Sequence, residues 1–168
     1  MNGGKGEIMN KTMGTRRVFP ERQDEYEARE KYPEPAVCPE CGDVFRNGRW
    51  TGRKMFPSGD LYLAKCPACS RKDGNRPAGD IKISGPFFQA HQAEILNRIR
   101  RIERKERGTH PLEQIIAMHS EPDYADISTS GIHLARRIGD ALRHSFKGDL
   151  SYSYGKGEKS IRVIWARN

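Results

Sequence analysis

The residues with the clearest chemistry in this sequence are its four cysteines, which occur as two pairs with the same internal spacing. Cys38 and Cys41 lie in the stretch CPECG, and Cys66 and Cys69 lie in CPAC. Each C-x2-C turn can bring two sulfurs to one point, and two such turns supply four thiolates for a tetrahedral metal ion. The spacing therefore predicts one structural zinc ion held by these four residues, with no open position for water or substrate.

Two other uses of paired cysteines fit the chain less well. A redox dithiol would be a single C-x2-C at a helix start in a thioredoxin-like pattern, whereas this chain has two near-identical pairs. A disulfide scaffold needs an oxidising compartment, and the N-terminal stretch MNGGKGEIMNKTMGTRR lacks the apolar segment of a secretory signal. No apolar run is long enough to span a bilayer. We therefore expect a cytoplasmic protein with reduced thiols and no membrane partner.

The chain has 168 residues and a formal net charge of +8. The excess is densest in residues 36–79, which contain eight basic and four acidic residues. Such a balance favours a polyanionic partner, most often nucleic acid, although a basic surface without a specific partner would look the same. The residues predicted to contact phosphate lie near the cysteines and on two later helices: Arg46, Arg49, Arg53, Lys54, Arg71, Lys72, Arg76, Arg98, Arg101, Arg136 and Arg137.

Three parts can be distinguished along the chain. Residues 1–35 are predicted to be a disordered or marginally helical tail, residues 36–79 a four-cysteine zinc ribbon, and residues 80–168 an α+β domain. Asn47-Gly48, between alternating residues, predicts a two-residue β-hairpin. The polar stretch SRKDGNRPAGD after the second cysteine pair indicates that no helix follows, which favours a ribbon over a treble clef.

The sequence of the α+β domain predicts the order of its helices and strands. IKIS predicts a strand, and a long helix with one apolar face follows it. PLEQIIAMH predicts a short second helix, DYADIS a strand, and TSGIHLARRIGDALRHSF a third helix. LSYSY and IRVIW predict a closing hairpin. The predicted fold is a small two-layer α/β sandwich with the order β-α-α-β-α-β-β.

Residue patterns typical of catalysis are missing from the sequence. It contains no recognisable Ser/His/Asp, Cys/His or paired-carboxylate arrangement, and its five histidines are scattered without ligand spacing. The aromatic residues Trp50, Phe56 and Tyr62 could stack on bases, but packing between strands would explain them equally well. We therefore predict that the protein is not an enzyme.

The motif order resembles that of a known family. The stretches CPECG and KCPAC are followed by GDIKISGPFFQAH, ISTSGIHLARRIGDAL and IRVIW, which is similar to the N-terminal part of the archaeal and eukaryotic export adaptor of the large ribosomal subunit, the Nmd-three family. Over residues 36–168, this resemblance implies a zinc-containing factor, with the four cysteines as ligands, that docks on ribosomal RNA or ribosomal proteins. This chain has one set of cysteine pairs where the family carries more, as a short bacterial relative would.

Together these inferences predict a non-enzymatic zinc protein that binds structured RNA and associates with the ribosomal particle. The alternative is a zinc-ribbon protein–protein adaptor or DNA-binding regulator. Steep salt dependence of binding would favour the first over an apolar docking surface.

Overall fold

In the computed structural model, the described residues are 17–18, 32–52 and 58–168, and they form two units with one five-stranded sheet each. We call the first unit, which contains the described residues up to 77, the cysteine module. We call the second unit, residues 78–168, the α+β unit. The mixed helix and sheet content and the clustered cysteines confirm the predicted α+β class.

The cysteine module is built on five short strands, which lie in the order β1-β5-β2-β3-β4. Of the predicted tail, only one strand and the residues from Tyr32 onward fall within the described part of the chain, so most of that prediction lies outside it. The strands are β1 (Arg17–Val18), β2 (Ala36–Val37), β3 (Val44–Arg46), β4 (Arg49–Thr51) and β5 (Tyr62–Leu63).

Strands β3 and β4 form the hairpin that the sequence predicts. Asn47 and Gly48 have φ angles of 53° and 72°, as a tight turn of the type I′ kind requires. The carboxylate of Glu34 accepts the backbone N–H of Asn47 at 2.7 Å and that of Gly48 at 3.0 Å. The turn is thus fixed both by its own sequence and by a carboxylate that precedes β2.

A short helix, α1 (Pro67–Asp73), follows the second cysteine pair. The prediction of no helix here is wrong, and the order of turn, hairpin and helix is that of a treble clef rather than a ribbon. Pro67 occupies the first turn, where a missing N–H costs nothing. The Sγ of Cys66 accepts the N–H of Cys69 and caps the helix. Capping and the burial of Ala68, rather than an apolar repeat, explain why this segment is helical.

Aromatic rings fill the module beside its cysteines. The ring of Tyr32 lies 5.0 Å from that of Phe45 and 5.2 Å from that of Trp50. Trp50 is only 8% exposed, so packing between strands accounts for it better than base stacking. Tyr62 is half-buried in the same cluster, and Phe56 lies outside the described residues.

The α+β unit has five strands and two long helices in the order β-α-β-β-α-β-β. The strands are β6 (Gly79–Ser84), β7 (Ile115–Ser120), β8 (Tyr124–Thr129), β9 (Asp149–Tyr154) and β10 (Ile161–Ala166). The helices are α2 (Pro86–Thr109) and α3 (Ile132–Phe146).

The predicted second helix in PLEQIIAMH is wrong, because its last residues form strand β7. Leu112, Ile115 and Ile116 have a spacing that fits one helical face, but both isoleucines are β-branched and favour extended backbone. Pairing with β8, which places Ile115 opposite Thr129, favours the strand over the helix. β7 and β8 are consecutive strands joined by residues 121–123, so this pairing is a hairpin whose second strand lies just beyond the segment.

The sheet order is β7-β8-β6-β10-β9, so the last strand lies in its interior. β10 runs parallel to β6 and antiparallel to β9. β8 runs antiparallel to β6 and to β7. Each of the two helices therefore connects strands that are not neighbours, as in split β-α-β units.

Helices α2 and α3 cover one face of this sheet and bury its apolar side chains. Trp165 lies at the centre, fully buried, and its indole N–H donates to the carbonyl oxygen of Lys147 at 2.7 Å. The other fully buried large side chains are Phe88, Ile81, Ile83, Ile95, Ile99, Leu134, Ile138, Leu142, Ile161 and Val163. In the described part of the chain, no helix is long and apolar enough to cross a membrane.

The opposite face of the sheet carries exposed, mixed charges. Two of its charged side chains are basic and three are acidic, which leaves this face close to neutral. These residues alternate along the strands with the buried ones. They are Asp80, Lys82, Asp126, Asp149 and Arg162.

Candidate metal centre and basic surfaces

Four thiol groups meet between strand β2 and helix α1. Cys38 and Cys41 lie on the turn that follows β2, and Cys66 and Cys69 lie at the start of α1. Their Sγ atoms all lie within 4.8 Å of one another. The fold thus brings together all four predicted ligands, and the cluster could hold a metal ion.

The spacing of the sulfur atoms can be compared with that of a tetrahedral site. With metal–sulfur bonds of about 2.3 Å, two ligands of a tetrahedron lie about 3.8 Å apart. The Sγ atoms of Cys41 and Cys66, which come from different turns, are 3.7 Å apart. One edge of the tetrahedron is therefore already formed between the two halves of the site.

Backbone N–H groups point at two of the sulfurs. The N–H of Cys66 donates to the Sγ of Cys38, and the N–H of Cys69 donates to the Sγ of Cys66, each at 3.4 Å. Gly42, with a φ of 79°, turns its N–H toward the carbonyl oxygen of Cys38 at 2.9 Å. Donors aimed at sulfur favour the thiolate, which is the form that binds metal.

The thiols also shift one another's protonation. Hydrogen bonds from the Cys41 and Cys66 thiols lower the pKa of Cys38. Because they donate to it, the pKa of Cys41 is raised to about 12 and that of Cys66 is also raised. Burial raises the pKa of Cys69. A bound cation competes with protons for these sulfurs, so metal affinity should rise with pH.

The cluster is shielded from solvent. Cys38, Cys66 and Cys69 are buried, and Cys41 is half-buried. Four protein sulfurs fill a tetrahedron and leave no position for water or substrate. The ligand set is therefore that of a structural site.

Asp43 links the cysteine module to the α+β unit. Its side chain is almost fully buried, and burial raises the pKa of its carboxyl group. Its Oδ2 atom lies 3.4 Å from Nε2 of Gln114 and 3.9 Å from Nη2 of Arg107. Leu112 packs against the apolar cluster around the cysteines. Sequence reasoning missed this contact, because nothing near Asp43 marks a partner 71 residues away.

The predicted phosphate contacts in the cysteine module lie at two places. Arg46 and Arg49 are exposed and directly opposite each other at the tip of the β3–β4 hairpin. Arg71, Lys72 and Arg76 lie on α1 and in the loop after it, where Nη1 of Arg71 donates to the carbonyl oxygen of Arg76 at 3.3 Å. The remaining two, Arg53 and Lys54, lie outside the described residues.

The other predicted contacts lie together on the outer face of the two long helices. Arg98 and Arg101 on α2, and Arg136 and Arg137 on α3, are all exposed. Helix α2 contains six basic and three acidic residues, and α3 contains three basic and one acidic residue. The helix face is thus strongly basic, in contrast to the opposite face of the sheet.

The start of α3 is occupied by a carboxylate of the chain itself. Gly131 at the N-cap has no side chain to cap the helix. Glu113 instead accepts the N–H of Leu134 at 2.9 Å, and a β-carbon at Gly131 would collide with it. The positive end of the helix is therefore already neutralised from within.

Comparison of the chain with protein-family models found no model that matches it. A search of curated proteins found no match either. The resemblance to the Nmd-three family is therefore untested and stays a prediction.

Proposed function

We propose that this chain is a non-enzymatic, zinc-binding protein that binds structured RNA through the outer face of helices α2 and α3. The observation that carries the proposal is the difference between the two faces of the α+β unit. One face carries a large excess of arginine, and the other is close to neutral.

Zinc is the metal that the cysteine cluster suits best. Four thiolates in a tetrahedron are a ligand set for zinc or for iron, and zinc does not require redox chemistry. Hard cations such as Mg²⁺ and Ca²⁺ prefer oxygen ligands. Because the site is closed, we assign the zinc to holding the module together rather than to catalysis.

The arginines of the helix face support RNA as the partner. Within the described residues, Arg98 and Arg101 have no carboxylate partner, so their charge is available to a ligand. Arginine binds phosphate through two parallel hydrogen bonds and is the usual residue for backbone contacts in nucleic acids. A face with several such groups fits a polyanion better than a single small anion.

The shape of the charged surface favours a structured RNA over a single strand. Proteins that bind single strands stack bases on exposed aromatic rings. In the described part of the chain, the exposed large aromatic side chain is Tyr154 near the end of β9, a single ring rather than a row of them. On the face of the sheet opposite the helices, which we call the open face, Tyr124 is half-buried, and the Nζ atom of Lys82 lies 5.8 Å from the centre of its ring. Contacts to phosphates and 2′-hydroxyls, which arginines on helices can make, are the usual means of binding helical RNA.

We further assign the protein to the ribosomal particle in the cytoplasm, with ribosomal RNA or ribosomal proteins as partners. Support for this step comes from the resemblance to the Nmd-three family. Sedimentation of a lysate tests it, since a ribosome-associated factor travels with ribosomal particles in low salt and leaves them in high salt. A protein that stays at the top of the gradient in low salt would contradict the assignment.

The hairpin tip offers a second phosphate contact. Arg46 and Arg49 are cross-strand partners, and like charges in such positions destabilise a hairpin. Neither has an ion-pair partner within the described residues, so a bound phosphate would relieve their repulsion.

Replacing Arg49 by threonine should therefore weaken RNA binding without destabilising the fold. We expect the melting temperature to stay the same or rise slightly, because the repulsion of roughly 0.2–1 kcal/mol is removed. Binding and thermal melting measured on the same sample check this. A loss of stability together with unchanged binding would show that the tip has only a structural role.

The proposed function is tested by measuring RNA affinity at several salt concentrations. If the four helix arginines contact phosphate, log affinity should fall with log salt at a slope of about −3 to −4, since each contact contributes roughly 0.7–0.9. Binding that does not depend on salt would contradict the proposal and favour an adaptor that docks on a protein. Higher affinity for a DNA duplex than for an RNA duplex would favour a DNA-binding regulator, because contacts to the 2′-hydroxyl are available only in RNA.

A further inference from the structure

Helices α2 and α3 border an open groove with a volume of about 900 Å³. The groove lies on the outer side of the α+β unit, away from the sheet. Its walls carry three arginines, three histidines and three carboxylates. The arginines are Arg98, Arg136 and Arg137, the histidines are His110, His133 and His144, and the carboxylates are Glu106, Glu113 and Asp140.

Two of the carboxylates in the groove are engaged by the protein itself. Glu113 accepts the N–H of Leu134 at the start of α3. Asp140 accepts the hydroxyl hydrogen of Tyr152 at 2.5 Å. These contacts hold the two carboxylates against the protein, and the closest approach of Asp140 to an arginine of the groove is 3.9 Å, to Nε of Arg136.

The third carboxylate, Glu106, holds an arginine in place. Glu106 is 6% exposed; its Oε2 atom forms an ion pair with Nε of Arg137 at 2.8 Å, and its Oε1 atom is hydrogen-bonded to Nδ1 of His110 at 3.0 Å. The contact uses the inner nitrogen of the guanidinium group. Among the described residues, the two outer nitrogens of Arg137 have no partner, and its side chain is 59% exposed. The buried carboxylate of Glu106 thus orients the guanidinium group of Arg137, and its two outer nitrogens remain available to a ligand.

Two smaller concave regions continue the groove along α2. One, of about 320 Å³, shares Arg98 with the groove and also borders Arg101. The next, of about 410 Å³, includes Arg101 and Arg104. The result is an extended track of arginines rather than a single pocket, which suits a ligand with charges repeated along its length.

We propose that the groove between α2 and α3 binds one phosphate backbone of a helical RNA, with Arg137, oriented by Glu106, as its central contact. This inference rests on the proposed function and specifies where on the helix face the RNA lies. Arg137 touches the RNA, and Glu106 is a positioning residue.

The test compares two arginines on opposite faces. Arg137→Ala should lower affinity for an RNA duplex of about 20 base pairs by roughly five- to eightfold in about 0.1 M salt, and should reduce the salt slope by about one. Arg162→Ala removes the same charge from the open face of the sheet and should change neither quantity. Arg137→Lys keeps the positive charge but cannot make two parallel hydrogen bonds to phosphate. We therefore expect an RNA affinity between those of the wild type and Arg137→Ala, with an unchanged salt slope. Glu106 keeps a cationic partner in this variant, so the fold should not be affected.

The possible outcomes distinguish failure of the groove proposal from failure of the proposed RNA-binding function. If the wild type binds the duplex with a steep salt slope but Arg137→Ala and Arg162→Ala behave alike, the groove proposal is overturned and RNA binding stands. If the wild type shows no salt-dependent binding, both the groove proposal and the proposed RNA-binding function are overturned. Displacement of the duplex by polyglutamate of equal charge would mean that the groove takes an acidic peptide, which also overturns the proposal.

Discussion

Replacing Cys66 by serine should abolish metal binding and unfold the cysteine module, while the α+β unit keeps its structure. Cys66 is fully buried, and its sulfur forms one edge of the tetrahedron with that of Cys41. A serine hydroxyl is a harder and less easily ionised ligand than a thiol, and it suits zinc poorly. Structural zinc contributes on the order of 10 kcal/mol to the folding of such modules. The free energy lost with the zinc ion should therefore exceed the free energy of unfolding of the cysteine module.

The two units differ in the hydrophobic core that they keep when the metal is removed. The buried cluster of the cysteine module has eight residues, of which Cys38, Cys66 and Cys69 are three. The core of the α+β unit has sixteen buried residues and includes none of the cysteines. Only the second core can persist without the metal.

Elemental analysis and amide exchange check this prediction. Wild-type protein purified without added metal should contain about one equivalent of zinc, and the Cys66→Ser variant almost none. Exchange protection should be lost over residues 32–52 and 58–77 and retained in β6 and β10. Ser70→Ala, in the same helix, is the matched control and should keep its zinc. Full protection of the module after chelation of the metal would refute the prediction.

Replacing Arg98, Arg101 and Arg136 together by alanine should lower RNA affinity by roughly 10²- to 10³-fold in about 0.1 M salt, since each lost phosphate contact costs about five- to eightfold. The fold should be unaffected, because these side chains are exposed. The closest carboxylate contact among them joins Nε of Arg136 to Asp140 at 3.9 Å, and an exposed pair of this kind contributes little.

The matched control changes the open face of the sheet. Replacing Lys82 and Arg162 by alanine removes two positive charges without touching the helices. If this variant loses as much affinity per charge as the helix variant, binding follows net charge and not a particular surface. If the helix variant binds like wild type, RNA does not contact the helix face.

Local patterns in the sequence predict the metal ligands and the hairpin. The sulfurs of Cys38 and Cys41 lie on one turn, so their spacing alone indicates that they converge. Asn47 and Gly48 adopt positive φ with little cost, and this preference is a property of the two residues themselves. The helices α2 and α3 can also be predicted locally, because their buried apolar residues recur at helical spacing, as Ile95 and Ile99 do on α2 and Leu134 and Ile138 do on α3.

Two elements were missed although their signals are local. Helix α1 has no apolar repeat, and it is helical because Cys66 caps it and Pro67 occupies its first turn. Ile115 is in a strand because it pairs with Thr129 in the hairpin of β7 and β8, and Ile116 lies at the irregularity beside it. Contacts between distant residues are a different case, because no local pattern marks them. The contact between Asp43 and Gln114 follows from the arrangement of the two units and not from either segment.

The interior position of β10 has a consequence for synthesis of the protein. β6 pairs with β10 along its full length, and 76 residues separate Ser84 from Ile161. While the ribosome is still making that stretch, β6 and β8 have no β10 beside them, and Trp165 and Val163 are missing from the core. The α+β unit should thus fold only after residues 161–166 have left the exit tunnel, whereas all four cysteines emerge much earlier. We expect the nascent chain to acquire its metal before it acquires its sheet.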